Sequence, residues 1–416
     1  MFDFILTREQ LAFREEVREF VRWVPRQLIL DMDKDEVKFP KEFLQEAGRR
    51  NLLGCRYPKE WGGRGLDWVT TGMVLEEIGT LSYELACVFG VGAELVCDAI
   101  LRHGTDEQKE RYVKPLLRGE LFAAEGLTEP RGGSDFFGAT SRAEDRGDHF
   151  LLNGQKRFIV GGHGADYFLL YARTNFDPAA KPQHAITAFL VDRGPGVETK
   201  YLYRLMGGRG GGTARVVFQD VKVPKANVVG RVDGGEEIFN TMMVPERLGT
   251  AIMTLGPARV ALDIATRYTA RRKAFGRTIS SFQGVSFQVA EAAMLLDAAR
   301  SLGYTTCRAI DAGVPTDRAR RLISESKRFI TEACQKVVHN SMQVVGGIGY
   351  TNVFPLERIF RDVRLATIWT GTSEVMSMIV AHEWYREAGK AGTGSTARDY
   401  ETDAEEAFAE DEKIYE

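Results

Sequence analysis

The sequence predicts an α+β fold with an N-terminal helical domain, a middle β domain and a C-terminal four-helix bundle. The length of 416 residues argues for two or three domains rather than one. Apolar residues recur at helical spacing up to about Phe122. Short segments rich in aromatic and β-branched residues follow, and the helical spacing then returns.

The first domain is predicted over residues 1–122. The stretch VTTGMVLEEIGTLSYELACVFGVGAELVCDAILRHG has apolar positions three and four residues apart, as in helices. The N-terminus, MFDFILTREQLAFREEVREFVRWV, mixes apolar residues with charges of both signs at the same spacing. This pattern indicates an amphipathic helix, and neither a signal peptide nor a transit peptide.

The β domain is predicted over residues 123–232. Its strand candidates are DYFLLYAR, HAITAFLVDR, ARVVFQDVKVP and HFLLNGQKRF, and Asn153-Gly154 in the last of these predicts a hairpin turn. The bundle is predicted over 233–390, with long helical segments around 246–273, 282–312, 317–345 and 373–388. Residues 391–416 begin with Gly, Ser and Thr and become acidic, so we expect a tail that buries little.

Composition excludes several classes of partner. Lys and Arg total 55 against 58 Asp and Glu, which leaves no strong field for nucleic acid or an anionic membrane. No run approaches the ~20 apolar residues of a membrane span. The five scattered cysteines favour reduced thiols and a cytoplasmic protein. His382-Glu383 begins like a zinc motif, but Arg386 stands where the second histidine is needed, so we expect no metal site.

Four polar or glycine-rich segments lie at element boundaries: EGLTEPRGGSDFFGA (125–139), QKRFIVGGHG (155–164), ARRKAFGRTISSFQ (270–283) and QVVGGIGYTNVFPLERIFRD (343–362). Glycines let a backbone approach a ligand closely, and arginines beside an aromatic residue suit a pyrophosphate and a ring. Each segment alone is as consistent with a turn, a strand core, a helix cap or a loop.

In this order, however, the segments resemble the acyl-CoA dehydrogenases, from about Phe4 to Gly389. GLTEPRGGSD and QVVGGIGYTNVFPLERIFRD look like the two family signatures, and MGGRGGGTARVVFQDVKVPKANVVG looks like the end of the family's β domain. The resemblance implies bound FAD. The positions that match FAD contacts are Leu127, Thr128, Gly133, Ser134, Phe158, Ile159, Val160, Arg272, Phe275, Gln283, Gln343, Gly346, Gly347, Thr372 and Glu374.

Those between Arg272 and Gly347 match residues that reach the FAD of a neighbouring subunit, so the resemblance implies a homo-oligomer, usually a tetramer. It also implies oxidation of an acyl-CoA to a trans-2-enoyl-CoA, with the electrons passing to an electron-transferring flavoprotein. The matching substrate positions are Ser134, Arg247, Trp369, Thr370 and Gly371.

The catalytic base presents a difficulty. Most family members have Glu immediately before Gly-Thr, where this chain has Thr370, and a neutral hydroxyl cannot take the proton. In isovaleryl- and long-chain-like members the base lies on the first bundle helix, and the spacing from PERLGTA to RRKAFG then implies Glu246. The alternative interpretation makes Glu246 a first-turn acid after Pro245, favoured there by the helix dipole.

Other family functions stay open. The same fold supports enoyl-CoA reductases, oxidases and eliminations, and a chain without Glu at position 370 could be a flavin- or CoA-binding partner subunit. Trp369 predicts a shortened acyl pocket because an indole fills space that a smaller residue would leave. Val91 favours an apolar acyl group, and Val160 replaces a Thr that often contacts the flavin.

Overall fold

The computed structural model describes residues 3–391, so all but the first residue of the predicted acidic tail lies outside the described residues. The N-terminal domain consists of short helices, two of them continued by π-helical turns at Val91–Val96 and Lys109–Val113. These helices are α1 Arg8–Trp23, α2 Arg26–Asp33, α3 Lys41–Arg49, α4 Trp68–Gly79, α5 Tyr83–Gly90, α6 Cys97–His103, α7 Asp106–Gln108 and α8 Lys114–Leu117.

Local sequence explains where α1 begins and which face it buries. The Thr7 side chain accepts a hydrogen bond from the Gln10 amide, and the Gln10 side chain accepts one from the Thr7 amide, which completes a capping box. Phe13, Val17 and Phe20 follow at helical spacing and are all buried. The amphipathic N-terminal helix predicted from the sequence is therefore present.

The β domain is an eight-stranded mixed sheet in the order β6-β7-β3-β2-β4-β5-β8, with β1 parallel to β4. The strands are β1 Ala123–Gly126, β2 Arg142–Asp145, β3 His149–Ile159, β4 Tyr167–Arg173, β5 Ile186–Asp192, β6 Val197–Leu202, β7 Ala214–Pro224 and β8 Val228–Val229.

The hairpin predicted at Asn153-Gly154 is wrong. Both residues lie inside β3, where the register with β7 shifts between Leu152 and Gly154. The Asn153 side chain accepts a hydrogen bond from the Asp220 amide at 2.8 Å and donates one to the Asp220 carboxylate at 3.0 Å. These cross-strand bonds hold the pair as a β-bulge rather than as a turn.

The third domain is the predicted helical bundle. A two-residue hairpin, β9 Lys273–Ala274 and β10 Arg277–Thr278, separates its first two helices. The helices are α9 Gly235–Thr269, α10 Gln283–Asp311, α11 Thr316–Val345, α12 Leu356–Val363 and α13 Ser373–Ala391. Among the described residues, only α9 is long and apolar enough to cross a membrane, but 72% of its most apolar window is buried inside the fold.

The start of α9 corrects one interpretation of Glu246. The helix begins at Gly235, well before the predicted position 246, and includes Pro245. Glu246 therefore lies roughly three turns inside a 35-residue helix. A first-turn acid stabilised by the helix dipole is wrong for this position, since the dipole effect falls off within the first turn.

One hydrophobic core joins the three domains. It contains buried residues of the N-terminal helices, of the bundle, and of alternate positions on β4, namely Tyr167, Leu169 and Tyr171. The intervening β4 residues Phe168 and Leu170 point into a second core inside the β domain. The face of the sheet formed by β1 and β4 therefore packs on helices, and the candidate site lies at this junction.

Candidate active site

Glu246 lies on α9 with one carboxylate oxygen, Oε2, buried and without a hydrogen-bond partner among the described residues. Burial raises the pKa of this carboxyl to about 7, although Arg247 and Lys327 oppose the shift. A carboxyl with a pKa near neutrality exists partly as the anion and can accept a proton at physiological pH. The position has the chemistry that a general base needs.

Two cations surround Glu246. Arg247 is buried at 8% exposure, and burial lowers its pKa to about 10. Lys327 on α11 is a residue that the sequence did not indicate, and burial together with Arg247 lowers its pKa to about 8. Its Nζ donates a hydrogen bond to the Gly371 carbonyl at 2.5 Å. Lys327 therefore links the candidate base to the turn at Thr370 and Gly371.

That turn has an unusual backbone. Thr370 has φ of 53° and Gly371 has φ of 89°, both in the left-handed region. The left-handed φ of Gly371 favours glycine, and a side chain added there would lie 2.7 Å from the terminal methyl of Met376 and 3.6 Å from Arg247 Nε. Thr370 Oγ1 and Arg247 Nε are buried without partners among the described residues. Thr370 and Gly371 thus lie close to Arg247, which follows Glu246 directly in the chain.

Trp369 lies directly before this turn. Its Nε1 donates a hydrogen bond to the Tyr83 hydroxyl at 2.9 Å, and the two rings meet edge to face at 6.2 Å. Tyr83 is the first residue of α5 and is fully buried. The indole therefore has one fixed orientation, which holds its volume where the sequence predicts a limit to the acyl pocket.

The β-domain candidates form a second group beside this junction. The Arg157 amide donates a hydrogen bond to the Thr128 carbonyl at 2.7 Å, which places the segment of Leu127 and Thr128 next to Phe158. Phe158 has φ of 54°, is 55% exposed, and lies 4.5 Å from the Tyr203 ring. Of the remaining candidates here, Gly133 and Ser134 are exposed, Val160 is half-buried, and Ile159 is buried in the β core.

This surface fits an isoalloxazine ring. It presents the exposed ring of Phe158, an apolar edge and the hydroxyl of Thr128. Next to them, a side chain added at Gly132 would meet only open space, so there is room for a ligand. These are the features that a planar, partly polar ring requires. Ile159 as a whole residue is only 1% exposed, so its predicted contact with FAD stays a prediction.

A third group of candidates lies at the far end of the bundle. Phe275 is 94% exposed at the tip of the β9–β10 hairpin, and all six residues are solvent-accessible: Arg272, Phe275, Gln283, Gln343, Gly346 and Gly347. Along α11, Gln343 lies roughly 24 Å from Lys327 at the helical rise. Within a single chain, this group therefore lies far from the Glu246 site.

Thr372 and Glu374 follow the turn at the start of α13. The Thr372 hydroxyl accepts a hydrogen bond from the Val375 amide at 3.2 Å, as in an N-terminal cap. A hydrogen bond from Thr372 is the largest cause of the lowered pKa of Glu374. Both residues are accounted for locally by the helix start, and their predicted contact with FAD stays a prediction.

Sequence reasoning missed Glu125, which lies on β1 near Glu246. Burial raises its pKa well above the ordinary value, and the Glu246 carboxylate raises it further. An acid inside the short apolar strand AAEG was the available signal, because a buried strand rarely places a carboxyl there without a reason. Within residues 3–391, no cluster of His, Cys, Asp and Glu could hold a metal ion.

Comparison with known proteins agrees with this architecture. The acyl-CoA dehydrogenase N-terminal, middle and C-terminal domain models match residues 7–120, 124–221 and 233–384. The short-chain specific acyl-CoA dehydrogenase of Clostridium acetobutylicum is 33% identical over 92% of this chain and 100% of its own. A subunit of the caffeyl-CoA reductase-Etf complex of Acetobacterium woodii is 34% identical over 90% of this chain and 98% of its own.

Among solved structures, butyryl-CoA dehydrogenase from Megasphaera elsdenii has a TM-score of 0.87 at 31% identity, over 92% of this chain and 99% of that one. The three matched domains and the order of helices and sheet lead to one conclusion: the chain belongs to the acyl-CoA dehydrogenase family of FAD-dependent oxidoreductases.

Proposed function

We propose that the protein oxidises an acyl-CoA thioester to the trans-2-enoyl-CoA, with Glu246 as the base that removes the proton alpha to the thioester carbonyl. The observation that supports this most strongly is the buried carboxyl of Glu246, with a free oxygen and a pKa near 7, beside a turn that Lys327 holds. When bound, FAD supplies the acceptor for the hydride of the β-carbon.

The α-proton of a thioester is a weak acid, so Glu246 needs help from hydrogen bonds to the thioester oxygen. We assign this role to the backbone amide of Thr370. The left-handed backbone at Thr370 and Gly371, and the Lys327 bond to the Gly371 carbonyl, hold that amide in one orientation. Arg247 and Lys327 keep Glu246 partly ionised in spite of its burial.

The proposed flavin site uses Leu127, Thr128, Gly133, Ser134, Phe158 and the backbone near Val160, with Thr372 and Glu374 at the start of α13. Arg272, Phe275, Gln283, Gln343, Gly346 and Gly347 of a neighbouring copy complete it. Their exposure at the opposite end of the bundle supports a homo-oligomer, and we propose a tetramer. A cytoplasmic location stays a prediction.

We propose an electron-transferring flavoprotein as the electron acceptor, since the Acetobacterium woodii relative is a subunit of an Etf complex. The same relative is a reductase complex subunit, which favours a second candidate function, reduction of an enoyl-CoA at the same site.

Anaerobic mixing of the FAD-loaded protein with saturated acyl-CoAs distinguishes the two directions. Dehydrogenation predicts bleaching of the oxidised flavin band by at least one saturated acyl-CoA in a panel of short, branched and aromatic thioesters. Bleaching by dithionite followed by reoxidation with enoyl-CoAs, with none of the saturated thioesters active, indicates the reductase instead. A flavin that responds to neither kind of thioester would overturn both.

A further inference from the structure

Glu125 points toward the helices rather than into the β-domain core. Side chains alternate along a strand, and on β1 Ala124 belongs to the inner β core whereas Ala123 packs on the helical side. Glu125 therefore shares the face of Ala123. The neighbouring strand β4 is parallel to β1 with Glu125 opposite Leu169, another residue of the helical face.

Tyr171 connects this face to α9. It lies on the same side of β4 as Leu169, and its hydroxyl contacts Met242 Sδ at 3.7 Å. Met242 precedes Glu246 by one helical turn, so the two residues share a face of α9. The Glu125 and Glu246 carboxyls both interact electrostatically with Tyr171, and Glu246 also with Glu125, so the two carboxyls lie near each other.

No hydrogen bond joins the two carboxyls within the described residues, and each keeps one buried oxygen without a partner, Glu125 Oε1 and Glu246 Oε2. The guanidinium of Arg247, itself more than nine-tenths buried, has an unpartnered Nε in the same region. Buried polar atoms in native proteins are normally paired. Unpaired buried atoms on three neighbouring side chains indicate that a ligand completes their hydrogen bonds.

The charges differ at the two carboxyls. Arg247 and Lys327 favour the anion of Glu246. The cation near Glu125 is Lys156, whose ammonium group already forms hydrogen bonds with other residues. Lys156 Nζ donates to Glu129 at 2.9 Å and to the Leu127 carbonyl at 3.2 Å. Burial and the Glu246 charge therefore raise the pKa of Glu125 well above its ordinary value, whereas two neighbouring cations lower that of Glu246. A neutral carboxyl both donates and accepts a hydrogen bond.

We propose that Glu125 determines specificity in the acyl pocket, where its carboxyl, with the unpartnered Oε1, selects acyl groups bearing a hydroxyl or carbonyl oxygen over purely aliphatic ones. This inference rests on the proposed function, because the acyl group must lie beside Glu246. An aliphatic chain would leave the Glu125 hydrogen bonds unmade. A site built to hydrogen-bond its substrate rejects an analogue that lacks the polar group.

The test compares pentanoyl-CoA with 4-hydroxypentanoyl-CoA, which differ by one hydroxyl away from the reacting carbons. For the FAD-loaded wild type, Glu125→Leu and Glu125→Gln, we would measure Kd by calorimetry and kcat/KM by flavin reduction. We expect the wild type to prefer the hydroxylated thioester by about tenfold or more. Glu125→Gln keeps the preference because an amide also donates and accepts, and Glu125→Leu loses it.

Glu144→Leu is the matched control, an acid of β2 at an exposed strand position, and it should behave as the wild type. If Glu125→Leu does not fold, Glu125→Val replaces it, since a β-branched residue suits a strand. If the wild type and the apolar variant show the same ratio of kcat/KM for the hydroxylated over the plain thioester, the inference is overturned and the proposed function stays in place. A wild type that neither binds nor is reduced by any thioester in the panel overturns both.

Discussion

Trp369 Nε1 donates a hydrogen bond to the Tyr83 hydroxyl at 2.9 Å, and this bond connects the turn before α13 to the start of α5. Tyr83 belongs to the N-terminal domain and Trp369 to the bundle, 286 positions apart in sequence. The wall of the proposed acyl pocket is therefore shared between two domains. Its shape depends on how those domains pack.

The first prediction concerns that wall. Trp369→Ala should raise kcat/KM for longer acyl-CoAs relative to short ones by about tenfold, since each methylene buried in an apolar pocket contributes about that factor. A chain-length series from four to twelve carbons measures the shift. Tyr83→Phe keeps the ring but removes the acceptor, and should lower the free energy of unfolding by about 1 kcal/mol. An unchanged chain-length profile in Trp369→Ala would place the pocket elsewhere.

The second prediction tests the base. Glu246→Gln should retain the fold and bound FAD but lower the rate of flavin reduction by about 10²- to 10⁴-fold, the usual contribution of general base catalysis. Stopped-flow reduction at saturating acyl-CoA measures it. Glu237→Gln removes an exposed acid near the start of the same helix and should leave the rate unchanged. Comparable rates in the wild type and Glu246→Gln would remove Glu246 from the mechanism.

The third prediction follows from the pKa of about 7 for Glu246. Only the ionised base accepts the proton, so kcat/KM should rise as the pH increases through about 7 and then level off. Lys327→Met removes a cation that lowers this pKa, so its profile should shift to higher pH. Lys336→Met, on the exposed side of the same helix, is the control. A shift of the Lys327→Met profile to lower pH would contradict the assignment.

The fourth prediction tests the exposed group at the end of the bundle. Arg272→Ala should weaken FAD binding by about tenfold or more, as expected for loss of a charge-assisted hydrogen bond to a phosphate. Fluorescence titration of the apoprotein with FAD measures it. Arg267→Ala removes an arginine of α9 that pairs with Asp263 at the surface, and this variant should bind FAD normally. Equal FAD affinity for both variants would argue against a site shared between copies.

The fifth prediction concerns a second buried acid pair, Glu84 and Asp362. Burial and the Asp362 charge raise the pKa of Glu84, so the folded state holds a proton that the unfolded state releases. Stability is then full below the unfolded pKa of about 4.5 and falls as the pH rises toward the folded pKa. Glu84→Gln cannot ionise and should lose less stability over this range.

Thermal unfolding at pH 5, 6, 7 and 8 measures this difference. With each step to higher pH, the Tm of Glu84→Gln should increase relative to the Tm of the wild type. Glu19→Gln, an exposed acid of α1, should follow the wild type at every pH. A wild type whose Tm falls no faster than that of Glu84→Gln would show that Glu84 does not titrate in the folded protein.

Much of the architecture was predictable because it depends on local periodicity. Helical spacing indicated the first domain and the bundle, and β-branched segments indicated the sheet, whose strands β4, β5 and β7 lie where the sequence placed them. The pattern failed at Asn153-Gly154, since a turn and a bulge use the same residues and only the partner strand distinguishes them. It also failed at Glu246, because a proline inside α9 looked like a helix start.

The order of domains, the family resemblance and the absence of Glu at position 370 all follow from the amino-acid sequence. The environment of the remaining acids depends on how the domains pack. Glu125 and Glu246 come from a strand and a helix far apart in the chain, and Lys327 comes from a third element. A carboxyl becomes a base or a neutral hydrogen-bonding group through its burial and its neighbouring charges, and those exist only after the domains have packed.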